Sequence, residues 1–321
     1  MIFFGAVNIL SMFILSCGYT LQAASQAFHY YPPAVEYLFF HELKRKFVDL
    51  SLANVLIKTF MKSNPYHVHL KKLFSRLIEL RHTVYQVDTV LKDSVTEYKF
   101  TNQNDFQSMS SLIISDWTGP TDSGWALFYG TGFSKVTYKK DYKKEIQRII
   151  SLECAYSFAQ CFEALETFLK DCVFVKIHFD KKYLTKLKQR IRKDFDRKTF
   201  HGGEKLYSAI KLACNNIFQT SSEKNNRNIK FREFWSTISI VRHSITHSGS
   251  KIKIDDFQKS KYHFAIFKYF FNYSKIDKEI IKVEFDSKKF EGALRAIAEY
   301  AYQIFKSLSI TDGFKFNILR P

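Results

Sequence analysis

The sequence predicts a mainly α protein, a C-terminal helical bundle preceded by a smaller helical or mixed α+β N-terminal region. Apolar residues recur at three- and four-residue intervals over several long segments, the period of a helix with one buried face. Turn-forming sequences concentrate instead in one stretch, 101–138. Of the 321 residues, 46% are hydrophobic and 17% aromatic, which supplies a large core and excludes wholesale disorder. Five cysteines in a chain of this length exclude a small disulfide-stapled scaffold, and an odd number leaves at least one unpaired.

Residues 1–28 carry no Lys, Arg, Asp or Glu, and 2–24 are predominantly apolar, close to the length of a membrane span. Nothing basic precedes Ile2, which argues against a secretory signal. The first cations, Lys44, Arg45 and Lys46, would hold everything after a spanning segment in the cytoplasm by the positive-inside rule. A buried helix or an upstream start accounts for the same residues. The expected location is therefore cytoplasmic, with membrane anchoring through 2–24 as the alternative.

Over 33–62, Val35, Leu38, Phe39, Leu43, Phe47 and Leu50 predict an amphipathic helix that Asn64-Pro65 ends. A second helical pattern runs through Leu70, Leu73, Phe74, Leu77, Ile78, Leu80 and Val84 to about residue 91. Thr118-Gly119-Pro120, Asp122-Ser123-Gly124 and Gly130-Thr131-Gly132 then surround short apolar runs, reading as a small hairpin or an irregular insertion. A boundary near Lys139-Lys140-Asp141 divides the chain into a hydrophobic segment 1–28, an N-terminal region 29–140, a helical domain 141–312 and a tail 313–321.

Beyond that boundary, 146–173 reads as one long helix. Ala155, Phe158, Phe162, Leu165, Leu169 and Val173 fall on one side, while Glu153, Gln160, Glu163 and Lys170 fall away from it. Cys154, Cys161 and Cys172 flank the apolar arc, as small buried thiols do. Glu166 projects at its edge, where a carboxylate needs a partner or a task. Helices around 205–218, 231–247 and 290–308 complete a bundle pattern.

Charge narrows the class of partner. The chain carries 49 Lys+Arg against 31 Asp+Glu, a formal +18, which points to nucleic acid, an anionic membrane surface or a phosphorylated substrate. Residues 1–140 hold only +4 of this, so the basic surface belongs mostly to 141–321. Between Asp180 and Lys198 nine cations stand against three aspartates, interleaved with Tyr183, Leu184, Leu187, Ile191 and Phe195. Lys186, Arg190, Lys193 and Arg197 are the candidates for tracking an RNA backbone through phosphate contacts. A merely solvated helix face accounts for any one of them alone.

The chemistry-bearing stretch is Val241-Arg242-His243-Ser244-Ile245-Thr246-His247-Ser248-Gly249. Phe231, Phe234, Trp235, Ile238, Val241 and Ile245 form the buried face of its helix, leaving Arg242, His243, Thr246 and His247 around the rest. Gly249 is a natural helix terminator, so His247 falls in the last turn, where the helix dipole favours a cation and suits an acid. RNA carries its own nucleophile, the 2′-hydroxyl. A cleaving enzyme then needs proton transfer and a cation for charge developing on the phosphate. Arg242 supplies the planar fork, and His247 moves the proton. His243, Glu166 or a second copy of His247 brought by a dimer supplies the second acid or base. His243 and His247 also have metal-ligand spacing, but no Glu follows His243 and no third ligand is placed. We therefore expect neither metal nor cofactor. The bland reading gives Arg242 a salt bridge to an acidic residue such as Glu166.

Arg242-His243-Ser244-Ile245-Thr246-His247 resembles the Arg-x4-His motif of the HEPN superfamily, a helical-bundle group rich in toxin and antiphage endoribonucleases. The 162–170 helix, Phe162-Glu163-Ala164-Leu165-Glu166-Thr167-Phe168-Leu169-Lys170, resembles that family's opening helix. The segment Glu299-Tyr300-Ala301-Tyr302-Gln303-Ile304-Phe305 resembles its closing one. The resemblance covers roughly 141–312. It implies metal-independent RNA cleavage at a composite site across a homodimer, with Arg242 and His247 catalytic, His243 at the polar position and Glu166 a helix-one partner. It further implies a toxin–antitoxin or antiviral defence role, with an antitoxin or regulatory partner. Some members bind RNA or nucleotides without cleaving, so a non-catalytic module remains an alternative, as does a membrane-attached scaffold.

Overall fold

A computed structural model of the protein describes residues 64–97, 102, 104–115, 128–191, 200, 202–257 and 261–316. The hydrophobic segment 1–28 and the helix expected over 33–62 lie outside the described residues, as do Lys193 and Arg197. The chain divides into two compact units between Asn64 and Pro65, and every described element belongs to the second.

That unit is mainly α. Helix α1 spans His67–Glu97, followed by a hairpin of β1 (Phe106–Ser115) and β2 (Phe128–Tyr138). Helix α2 runs over Lys139–Phe179, then α3 over Lys181–Ile191, α4 over Gly203–Glu223 and α5 over Phe231–His247. Strand β3 (Lys251–Lys253) leads through a 3-10 turn to α6 (Lys261–Phe270). Strands β4 (Asn272–Lys275) and β5 (Ile280–Glu284) precede α7, Ser287–Thr311.

The 41-residue α2, about 60 Å long at 1.5 Å per residue, is the axis of the bundle. Helices α1, α4, α5 and α7 all pack on it. Its predicted apolar arc is buried, with Phe158, Leu165, Leu169 and Val173 no more than 1% exposed. Each such side chain contributes roughly 1.5–3 kcal/mol on leaving water. Leu70, Leu73, Leu77, Leu80 and Val84 of α1 join the same core. The boundary expected at 139–141 therefore needs correction: α1 packs in one core with the helices after it, and the division into compact units falls at 64/65.

Local signals explain the ends. The Asp286 side chain caps α7 by accepting from the Lys289 N–H at 2.7 Å. Inside α4, Asn215 leaves helical geometry at φ +56°, and the Thr311 hydroxyl donates to the Cys214 carbonyl beside it. The tail folds back in part, with Phe314 edge-on to both Tyr66 and Phe179. Three segments meet at a buried ionic cluster there. Lys176 of α2 pairs with Asp312, which follows α7, and with Asp180 at 3.1 Å, while the Tyr66 hydroxyl donates to Asp312 at 2.6 Å.

One further sheet was not anticipated, and the expected hairpin has an unexpected surface. Residues 251–284 form a small antiparallel sheet in the order β3-β5-β4, with α6 beside it. Ile252 faces Ile281 on its buried side, and Lys251 stands directly opposite Lys282 on the exposed side. The β1–β2 hairpin, expected only in outline, exposes Leu112, Ile113 and Ile114 in succession, each by half or more. Successive strand residues alternate faces, so both of its faces are open. Among the described residues no helix is long and apolar enough to cross a membrane.

Candidate functional site

Helix α5 has the predicted bounds and the predicted buried face. Its end follows from the chain: Gly249 and Ser250 take positive φ (+58° and +66°), and the Ser250 N–H returns to the Ser244 carbonyl at 2.9 Å. Buried Ser244 is satisfied inside the helix by donating to the Val241 carbonyl. The last two turns thus present Arg242, His243 and His247 at the surface. Both imidazoles are exposed, with ring centroids 4.6 Å apart and planes tilted by 44°.

Arg242 is set by packing. Trp235, one helical heptad earlier, stacks on Phe162 of α2 with centroids 5.1 Å apart. The guanidinium carbon lies 6.0 Å over the other partner of that stack, the Phe162 ring, within cation–π range. One terminal nitrogen donates to the Glu163 carboxylate, while the buried Nε has no partner among the described residues. The fork is therefore incompletely engaged, with its Nε enclosed and only one terminal nitrogen held by Glu163. The Glu163 side chain is half exposed, so water weakens the ion pair to about 0–1 kcal/mol, and a phosphate that accepts both arms of the fork competes well for the same guanidinium.

Glu166 is not brought to Arg242. It pairs with Lys170 one turn on at 3.2 Å, and its carboxylate lies against Gly202, where an added Cβ would fall 1.7 Å from Oε1. Any side chain at 202 would have to displace it. The residue next to Arg242 is Glu163, which the helical wheel set away from the apolar arc. It lies on the flank that α5 crosses, and its signal was the same motif-bearing helix, one turn earlier.

Lys186 and Arg190 lie exposed on α3, whose Tyr183 and Leu187 are buried, as the interleaving predicts. Among the described residues neither makes a hydrogen bond or ion pair with Arg242, whose carboxylate partner is Glu163. His67 and His69, read from their alternation as strand or loop residues, instead open α1, and His69 Nδ1 lies 3.0 Å from Asp171 Oδ2. Cys154, Cys161, Cys172 and Cys214 are free and buried, and burial pushes the Cys154 and Cys161 thiols up to about 12. Among the described residues no cluster of three His, Cys, Asp or Glu side chains could hold a metal ion.

Two concavities flank the Arg242 region. One, of about 330 Å³, lies between α1 and α2 and includes His69, Asp171 and Glu163. The other, of about 780 Å³, opens at the C-terminal end of α5 and runs along the first half of α2 to β5 and the start of α7. No protein-family model, curated protein or solved structure matches the chain.

Proposed function

We propose that the protein is a metal-independent endoribonuclease of HEPN type, acting as a homodimer. The observation that carries this reading is the clustering of Arg242, His243 and His247 on the last two turns of α5, with the Arg242 fork incompletely occupied. Arg242 leaves Glu163 for the scissile phosphate and stabilises charge on the phosphorane. His247 transfers the proton, and the second acid or base is His243 or the His247 of a second copy. Attack by the 2′-hydroxyl leaves a 2′,3′-cyclic phosphate and a 5′-hydroxyl. Glu166, paired with Lys170 and lying against Gly202, takes no direct part in this reading.

The exposed cations of α3 support an RNA partner through backbone contacts. We place the protein in the cytoplasm, in keeping with its free buried thiols, and in a toxin or antiviral defence role held in check by an antitoxin or regulatory partner. A non-catalytic RNA-binding module is the second reading, favoured by the engagement of Arg242 with Glu163.

The test is incubation of the purified chain with RNA in EDTA, beside Arg242→Ala and His247→Ala. Cleavage by wild type alone, with cyclic phosphate ends, is expected. Uncut RNA under every condition, or equal cutting by His247→Ala, refutes the nuclease.

A further inference from the structure

The cleft of about 780 Å³ beside the α5 terminus has the size of a small-ligand site. Gly249 lines it, and only two peptide units separate Gly249 from His247, so the two α carbons lie within about 7.6 Å. One wall is apolar and aromatic. Leu152 and Tyr156, one turn apart on α2, are 40% and 51% exposed there. Cations line the same cleft, among them Lys282 of β5 and Lys288 of α7.

The charges in this cleft are unevenly matched. Its carboxylates are engaged within the protein: Asp88 by Lys92 and the Ser287 hydroxyl, Asp286 by the α7 N-terminus and Asn272, and Glu284 by the Ser274 hydroxyl. Neither Lys282 nor Lys288 has an ion pair among the described residues. Lys282 instead stands directly across from Lys251 on the exposed face of the sheet, the register that places like charges side by side and weakens a ladder. An anion bridging the two lysines relieves that repulsion. An aromatic side chain and unpaired cations lining one cleft fit a base and its phosphates.

We propose that this cleft seats a nucleotide of a single RNA strand next to the Arg242/His247 position, its base against Tyr156 and Leu152 and its phosphates on Lys282 and Lys288. Lys251, across the ladder from Lys282 and just outside the lining, is reached by the adjoining phosphate. The placement beside a scissile bond rests on the endoribonuclease reading, whereas the binding does not. A second copy of this chain docking on Leu152 and Tyr156 is the competing occupant. The unpaired lysines favour RNA.

The experiment uses the full chain and a fluorescein-labelled single-stranded RNA with 2′-O-methyl riboses, which cannot be cut by 2′-hydroxyl attack. Anisotropy titrations over a range of salt should show the Lys251→Gln/Lys282→Gln double variant binding about tenfold more weakly, its salt slope falling by about 0.7 for each phosphate no longer neutralised. Tyr156→Ala should bind roughly tenfold more weakly with an unchanged slope, and Tyr156→Phe should restore affinity. Because Lys282→Gln removes a like-charge pair, its melting temperature should equal or exceed that of wild type, which separates impaired binding from impaired folding. Unchanged affinity in both the lysine and Tyr156→Ala variants overturns the cleft. So does Tyr156→Ala changing the sedimentation coefficient while leaving affinity intact, which assigns the face to a second copy. Wild type that binds this probe through the cleft yet leaves unmodified RNA uncut sinks the nuclease reading alone.

Discussion

Lys176→Met tests whether the ionic cluster joining α1, α2 and the end of α7 holds the bundle closed. The Lys176 and Asp312 side chains are each 6% exposed, whereas Asp180, the second carboxylate, is 32% exposed. Removing the ammonium leaves Asp312 buried with the Tyr66 hydroxyl as its remaining neutral donor. Breaking a buried pair in this way costs about 3–5 kcal/mol, and the surviving Tyr66 bond places the expectation near the lower figure. For a unit of this size each kcal/mol moves the melting temperature by about 2–4 °C, so a drop of roughly 6–12 °C is expected by calorimetry. The double variant Lys176→Met/Asp312→Asn replaces the orphaned charge with a neutral amide and should recover most of the loss. A single variant that melts with wild type, or a double variant no better than the single, would refute the reasoning.

Three further expectations follow from the same geometry. The Arg148 fork, with help from Lys135, pushes the Glu145 carboxyl down to about 2 against its burial. Its stabilisation is complete above the unfolded carboxylate range and is lost as pH falls through about 2. Melting temperatures of wild type and Glu145→Gln should therefore differ near neutrality and converge in strong acid, and a gap independent of pH would contradict this. Of the five cysteines, four are buried with thiols raised by desolvation, so a thiol reagent at mildly alkaline pH should label at most one rapidly per folded chain, and all five in urea. Glu163→Gln should release Arg242 and raise RNA affinity by up to about fivefold, the worth of a half-exposed ion pair. A loss of cleavage with affinity unchanged would instead give Glu163 the second proton-transfer role.

The parts legible in the sequence were those whose cause is local. The bounds of α5 follow from its apolar spacing and from Gly249, and the buried arc of α2 follows from a 3.6-residue period. What depended on distant partners was not legible. Leu70 to Val84 announce a helix, but not that its partner surface lies across a hairpin on α2. Glu163 and Glu166 differ by about 60° around one helix, and only the crossing of α5 decides which of them meets Arg242. Strand β3 is three residues long, too short to show alternation, and the Ile281, Val283 and Phe285 signal of its neighbour stands among lysines and glutamates that blur it.

The hairpin has a consequence for how the molecule behaves in bulk solution. Strand β2 ends at Tyr138 and α2 begins at Lys139, so no loop intervenes, and the Lys139 N–H and ammonium both bind Asp105 across the base. The ten-residue strand β1, about 34 Å when extended, carries Leu112, Ile113 and Ile114 exposed at and beyond a register irregularity between Ser111 and Ile113. Such an edge invites unspecific pairing with further chains, and repulsion between strongly positive molecules opposes it. Salt added to strip nucleic acid from the protein also screens that repulsion within about a Debye length of 10 Å or less. The purification step that yields the cleanest protein is then the one most apt to precipitate it, unless Ile113 is first exchanged for lysine.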